Sequence, residues 1–78
     1  MEKDQTIYKI ILEPGNVFNR KNVEVLAKIT GENYADIKRY IESAPVILVK
    51  DHAAKIVEIR QCLIEHQIVF SIEPDFKY

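Results

Sequence analysis

The side chains able to do chemistry in this sequence are few and far apart. There is one cysteine, Cys62, and there are two histidines, His52 and His66. The histidines flank a segment whose pattern predicts one helix. They point the same way but stand roughly 21 Å apart, at ~1.5 Å of rise per residue. They cannot share a metal, and a zinc site needs more thiol or imidazole ligands than these. Each is read as a helix-end residue, His66 near the C-terminal end, where positive charge is mildly favoured. Cys62 has no partner for an internal disulfide and suits a small buried hydrophobe. A nucleophile needs a base and an orienting group. Here the nearest positive neighbour in sequence is Arg60, and nothing suggests such a triad. Glu13 and Glu73 each precede a proline at a predicted strand end. A carboxylate pair there would need a deep pocket, which small two-layer domains rarely have. Gly15 and Gly31 are too far apart for a phosphate-cradling loop. No catalytic residue, metal or cofactor is assigned, and the expectation is a non-enzymatic domain.

Composition narrows the remaining classes. The chain has 78 residues, 47% hydrophobic and 29% charged, with a net charge of −1. That predicts one soluble globular domain over residues 1–78, without room for a second core. Near-neutral, interspersed charge argues against strong attraction to nucleic acid or an anionic membrane. No signal-peptide pattern or long apolar span is evident, so a cytoplasmic setting is expected. A domain this short is marginally stable unless it packs efficiently or shares apolar surface with a partner.

The elements that must position any site follow from pattern. "IYKIIL" at 7–12 is β-branched and aromatic and stops at Glu13-Pro14-Gly15, predicting a strand ended by a turn. Tyr8, Ile10 and Leu12 should share one face, and Ile7, Lys9 and Ile11 the other. Residues 19–30 read as a helix, capped by Asn16 or Asn19 and stopped at Gly31, with Val23, Leu26, Ala27 and Thr30 on one stripe. "TGENYADIKRYIESAP", residues 30–45, brackets a second helix. Asn33 caps it, Asp36 stands in the capping-acid position, Ile37, Tyr40, Ile41 and Ala44 form its stripe, and Pro45 ends it. A strand at 46–50, a helix at about 52–66 capped by Asp51, and a strand at 68–73 ended by Pro74 complete the chain.

The order β-α-α-β-α-β predicts an α+β fold: a two-layer sandwich with three helices on one face of a three-stranded sheet. The last two strands should run parallel through a right-handed crossover, with the first strand between them and antiparallel to both.

Two apolar surpluses stand out. The third helix offers Ile56, Ile59, Leu63 and Cys62 to the sheet, but also Ala53, Val57 and Ile64 on an adjacent arc. That arc is either one wide buried face or an exposed patch of the kind that marks interfaces. The open back of the sheet should be polar. Yet Ile7, Ile11, Val69 and either Ile47 with Val49 or Val46 with Leu48 fall there, relieved by Lys9, Ser71 and Glu73. Either "DFKY" folds back and covers some of it with Phe76 and Tyr78, or the face self-associates, as a homodimer through Ile7, Ile11 and Val69. Tyr8 and Phe70 should face the core, which leaves no aromatic platform for nucleic acid.

With these residues in place, the chain resembles the C-terminal domain of the bacterial ribosomal stalk protein. The family's second helix runs T-G-L-G-L-K-E-A-K-D-L-V-E-S-A-P. Thr30, Gly31, Lys38, Glu42, Ser43, Ala44 and Pro45 match it as they stand. Asp36 replaces Glu, Ile41 replaces Val, and Tyr34 and Tyr40 fill Leu positions. "YKIIL" is similar to F-D-V-I-L, and "IRQCLIEHQIVFSI" to L-K-K-A-L-E-E-A-G-A-E-V-E-V. The likeness spans residues 8–73. It implies the same α/β sandwich, shared also by the ClpS protease adaptor, which this chain resembles in element order. It further implies a docking surface on the first two helices for a protein partner such as a translation factor or ribosome-associated protein. Val23 and Leu26 match apolar positions and Lys38 a basic one. Asn19 and Glu24 stand at family lysines, Ala27 at its arginine, Lys28 at a glycine, and Gln67 at the glycine before the last strand. Glu24 reverses the sign of a contact, a repulsive element against the same acidic partner. Lys38, Arg39 and Lys28 make either a basic docking edge or an ordinary solvated helix face. The expected partner-binding set is Val23, Leu26, Ala27, Lys28, Lys38 and Arg39.

Overall fold

Short-range hydrogen bonds set most of the element boundaries. In the computed structural model, which describes residues 5–78, α1 spans Arg20–Thr30 and α2 spans Tyr34–Ser43. The Asn19 side chain accepts from the Asn22 N–H at 2.8 Å, and the Asn33 side chain from the Asp36 N–H at 2.9 Å. Each thereby satisfies an N–H that has no partner within the first helical turn. Gly31 takes the left-handed conformation, φ 75°, and its N–H donates to Ala27 O. Only glycine enters that region without a Cβ penalty, so the chain reverses between the helices there.

The strands are β1 at Tyr8–Leu12, β2 at Val46–Asp51 and β3 at Phe70–Glu73, with α3 at Ala53–Glu65 between the last two. Sheet order is β2-β1-β3, and β1 runs antiparallel to both neighbours. The element order and the three-stranded open sheet are those expected. Three details differ. Asp51 does not cap α3: it closes β2, its carboxylate accepts from the adjacent His52 N–H at 2.7 Å, and His52 is the cap, without a side-chain capping bond. The last strand starts at Phe70 rather than at residue 68. Val25, outside the expected α1 stripe, is buried beside Val23 and Leu26.

The chain exits α3 through a Schellman-type closure. The Ile68 N–H donates to Leu63 O and the Gln67 N–H to Ile64 O. Gln67 occupies the left-handed position at φ 58°. Ile68 and Leu63, the residues such a closure brings together, are both buried in the core.

That core is one cluster. Tyr8, Ile10 and Leu12 from β1 meet Val23, Val25 and Leu26 from α1, Ile37 from α2, and Ile56, Ile59 and Leu63 from α3. Tyr40, Ile41, Ala53 and Cys62 pack against its margin. The adjacent arc of α3 divides: Ala53 joins the core margin, Val57 is half-buried, and Ile64 is exposed.

A register shift in β2 decides the sheet's open face. Ile10 pairs with Val49 but Ile11 with Ile47, so Leu48 is the extra residue of a bulge. Val46, Leu48 and Val49 therefore all pack toward the core, while Ile47 is exposed. The C-terminal segment does not cover this face. Phe76 stacks edge-on against Tyr8 at 4.9 Å, Arg60 of α3 lies over the Phe76 ring at 5.2 Å, and Arg60 Nη1 donates to Tyr78 O. The tail thus closes the helix side of the sheet, over core-facing Tyr8. Ile11 is half-buried, and Ile7, Ile47 and Val69 are each close to half exposed.

Candidate functional site

The loop between β1 and α1 builds a concave feature beside the first two helices. Two asparagines hold it. The Asn16 side chain behaves like an added strand residue: its Nδ2 donates to Glu13 O at 3.0 Å and Val69 O at 2.9 Å, and its Oδ1 accepts from the Val69 N–H at 2.8 Å. On the helix side, Asn22 Nδ2 donates to Val17 O at 2.8 Å. Gly15, at φ 110°, makes the tight turn before Asn16. The backbone of 16–19 is pinned at both ends, and Val17 and Phe18 are presented at its tip.

Phe18 then meets α2. Its ring lies 5.3 Å from that of Tyr34 with an interplanar angle of 71°, the edge-to-face arrangement that aromatic quadrupoles favour. Lys38, one turn after Tyr34, places Nζ 5.8 Å from the Phe18 centroid, a cation–π distance. Phe18, Val23 and Tyr34 wall an apolar groove of about 440 Å³, edged by Asn19, Arg20 and Glu24. Tyr34 is 61% exposed and Val17 65%. Together they put large apolar surface in water beside the groove. Arg20 and Glu24 pair across one helical turn at 3.1 Å in nearly full solvent, so this ion pair contributes little to stability.

The residues expected to dock a partner divide between core and surface. Leu26 is fully buried and Val23 nearly so. Leu26 has no surface to offer and acts as packing, while Val23 reaches only the groove floor. Ala27 is half-buried against the core. Lys28, Lys38 and Arg39 are exposed, but Arg39 is engaged by Asp36 on its own helix. Of the six, Val23 lines the groove and Lys38 lies over the ring of Phe18, which walls it. Phe18, Tyr34 and Val17 were not among the expected set. The signal for Tyr34 was present in the sequence, as an aromatic in the first turn of α2, on the flank of the stripe of Ile37 and Ile41.

The remaining chemistry-bearing residues are dispersed. His66 Nδ1 donates to Cys62 O at 2.8 Å and lies 3.9 Å from Cys62 Sγ, a contact local to the end of α3. Glu13 Oε2 accepts from Ser71 Oγ at 2.6 Å on the open sheet face. Among the described residues, no three His, Cys, Asp or Glu side chains gather closely enough to hold a metal ion. Nor, among the described residues, is any helix long and apolar enough to cross a membrane.

Known protein families offer no match: a scan of the sequence against family models finds none, and neither does a comparison with curated protein sequences.

Proposed function

We propose that this chain is a non-catalytic protein-interaction module that docks its partner on the first two helices, in the groove between the β1–α1 loop and the start of α2. The observation that carries this is the pair of half-buried Phe18 and exposed Tyr34 flanking an apolar groove, with Lys38 over the Phe18 ring. A 78-residue domain gains little stability by leaving a tyrosine 61% exposed at the groove. Large apolar groups clustered at the surface are the usual anchors of interfaces. The ribosomal stalk resemblance points to the same two helices and to a translation factor or ribosome-associated protein as partner. The groove keeps Val23 and Lys38 of the expected surface and puts Phe18 and Tyr34 in place of Leu26, Ala27 and Arg39.

The test is direct binding of purified translational GTPases and ribosomes, by calorimetry or sedimentation. Binding by the wild type, lost at least tenfold in a Tyr34→Ala, Lys38→Glu variant that keeps its fold, is the expected result. No binding by the wild type would remove this partner class. Binding unchanged in the variant would remove the groove.

A further inference from the structure

We propose that the open back of the sheet is a weak self-association surface that takes a second copy of the chain, related by a two-fold axis parallel to the strands. It goes beyond the docking groove, which lies on the helix layer. The supporting observation is the arrangement of charge. Cross-strand partners share a face, so the register places Lys50, Lys9 and Glu73 side by side in one row across β2, β1 and β3. The next row is Ile47, Ile11 and Ser71. Lys9 has Glu73 on one side. Lys50 has only another lysine opposite it, which is an unfavourable pairing, and makes no ion pair among the described residues.

A two-fold axis along β1 reverses the order of a row without changing its height. It sets Lys50 of one copy over Glu73 of the other, twice, and stacks Ile11 on Ile11. The same axis sets Lys9 of one copy against Lys9 of the other, a like-charge contact that the two flanking Glu73 carboxylates offset in part and that keeps the association weak. The row reads basic, basic, acidic, so it complements its own reversal at both ends. Ile47, 47% exposed, leaves water in the same contact. Two sheets packed this way lie ~10 Å apart, within reach of a lysine and a glutamate extended toward each other.

The size of the face sets the strength. Three strands at ~4.8 Å spacing and five residues at ~3.3 Å make a patch of roughly 15 by 17 Å. That is well below the ~800 Å² per partner of a standard stable interface. The expected dimer is therefore transient and shows itself only in concentrated solution.

Sedimentation equilibrium from about 10 μM to 2 mM tests this, with far-UV circular dichroism as the check on folding. The wild type should show a concentration-dependent mass. Lys50→Glu alone and Glu73→Lys alone should each weaken association at least tenfold. Their equimolar mixture should recover it, because the heterodimer then holds two matched pairs. Both sites are exposed, so the substitutions leave the core intact. A wild-type mass that stays monomeric throughout overturns the proposal. So does association that neither charge reversal weakens, or a mixture that fails to recover.

Discussion

Removing the Asn16 side chain should loosen the groove without touching it. Its three hydrogen bonds tie the β1–α1 loop to Glu13 and Val69. A typical protein hydrogen bond contributes about 0.5–1.5 kcal/mol net. Two of the three are exposed and one is part-buried, so the low end applies to the first two. Asn16→Ala should then cost about 1.5–2.5 kcal/mol. For a domain of this size that lowers Tm by roughly 6–20 °C. Asn16→Asp keeps the acceptor for Val69 N–H but turns a carboxylate oxygen toward the carbonyls of Glu13 and Val69, and should cost at least as much as alanine. Urea and thermal unfolding followed by circular dichroism give the stability, and ring-to-ring nuclear Overhauser effects between Phe18 and Tyr34 report the groove. In the alanine variant these effects should weaken while core methyl shifts persist. A stability loss under about 0.5 kcal/mol, or a Phe18–Tyr34 contact that survives unchanged, would refute the argument that Asn16 positions the groove.

Other consequences are checked on the same footing. Gln67→Gly should stabilise by about 0.5–1 kcal/mol, since it removes a left-handed non-glycine residue at some cost in chain entropy; a higher urea midpoint at constant slope is the readout. Leu26→Ala should destabilise by about 2–5 kcal/mol because the side chain is fully buried, so any loss of partner binding should track the unfolded fraction. Tyr34→Ala, by contrast, should cost only about 1–2 kcal/mol, since the ring is mostly exposed and loses chiefly its pair with Phe18, while weakening docking. Phe76→Ala should destabilise through lost contact with Tyr8 and Arg60 and raise the solvent accessibility of Tyr8, measured by quenching of tyrosine fluorescence.

The groove shows why the site was only partly legible. A helical stripe ranks residues by which side they lie on, not by how deep they sit. Val23 and Leu26 were correctly grouped on one face, but that face turned out to be the core. Phe18 sits in a loop that has no periodicity, and its place beside Tyr34 depends on Asn16 reaching a residue 53 positions away. Contacts of that range leave no local trace.

By itself the sequence determined the elements and their order. Asn19, Gly31, Asn33 and Pro45 act within a few residues, through capping, positive φ and steric exclusion, so their effect can be read in one dimension. It also determined which face of β1 is buried, because Tyr8, Ile10 and Leu12 alternate with a lysine. In β2 four apolar residues, Val46 to Val49, stand in succession, and alternation has no phase to detect. Only pairing with β1 chose it, by placing a bulge at Leu48 that turns three of the four inward and leaves Ile47 outside. The path of the C-terminal tail was settled the same way. Phe76 could cover either face, and the cation of Arg60 and the ring of Tyr8, brought together by packing of α3 on the sheet, drew it to the helix side.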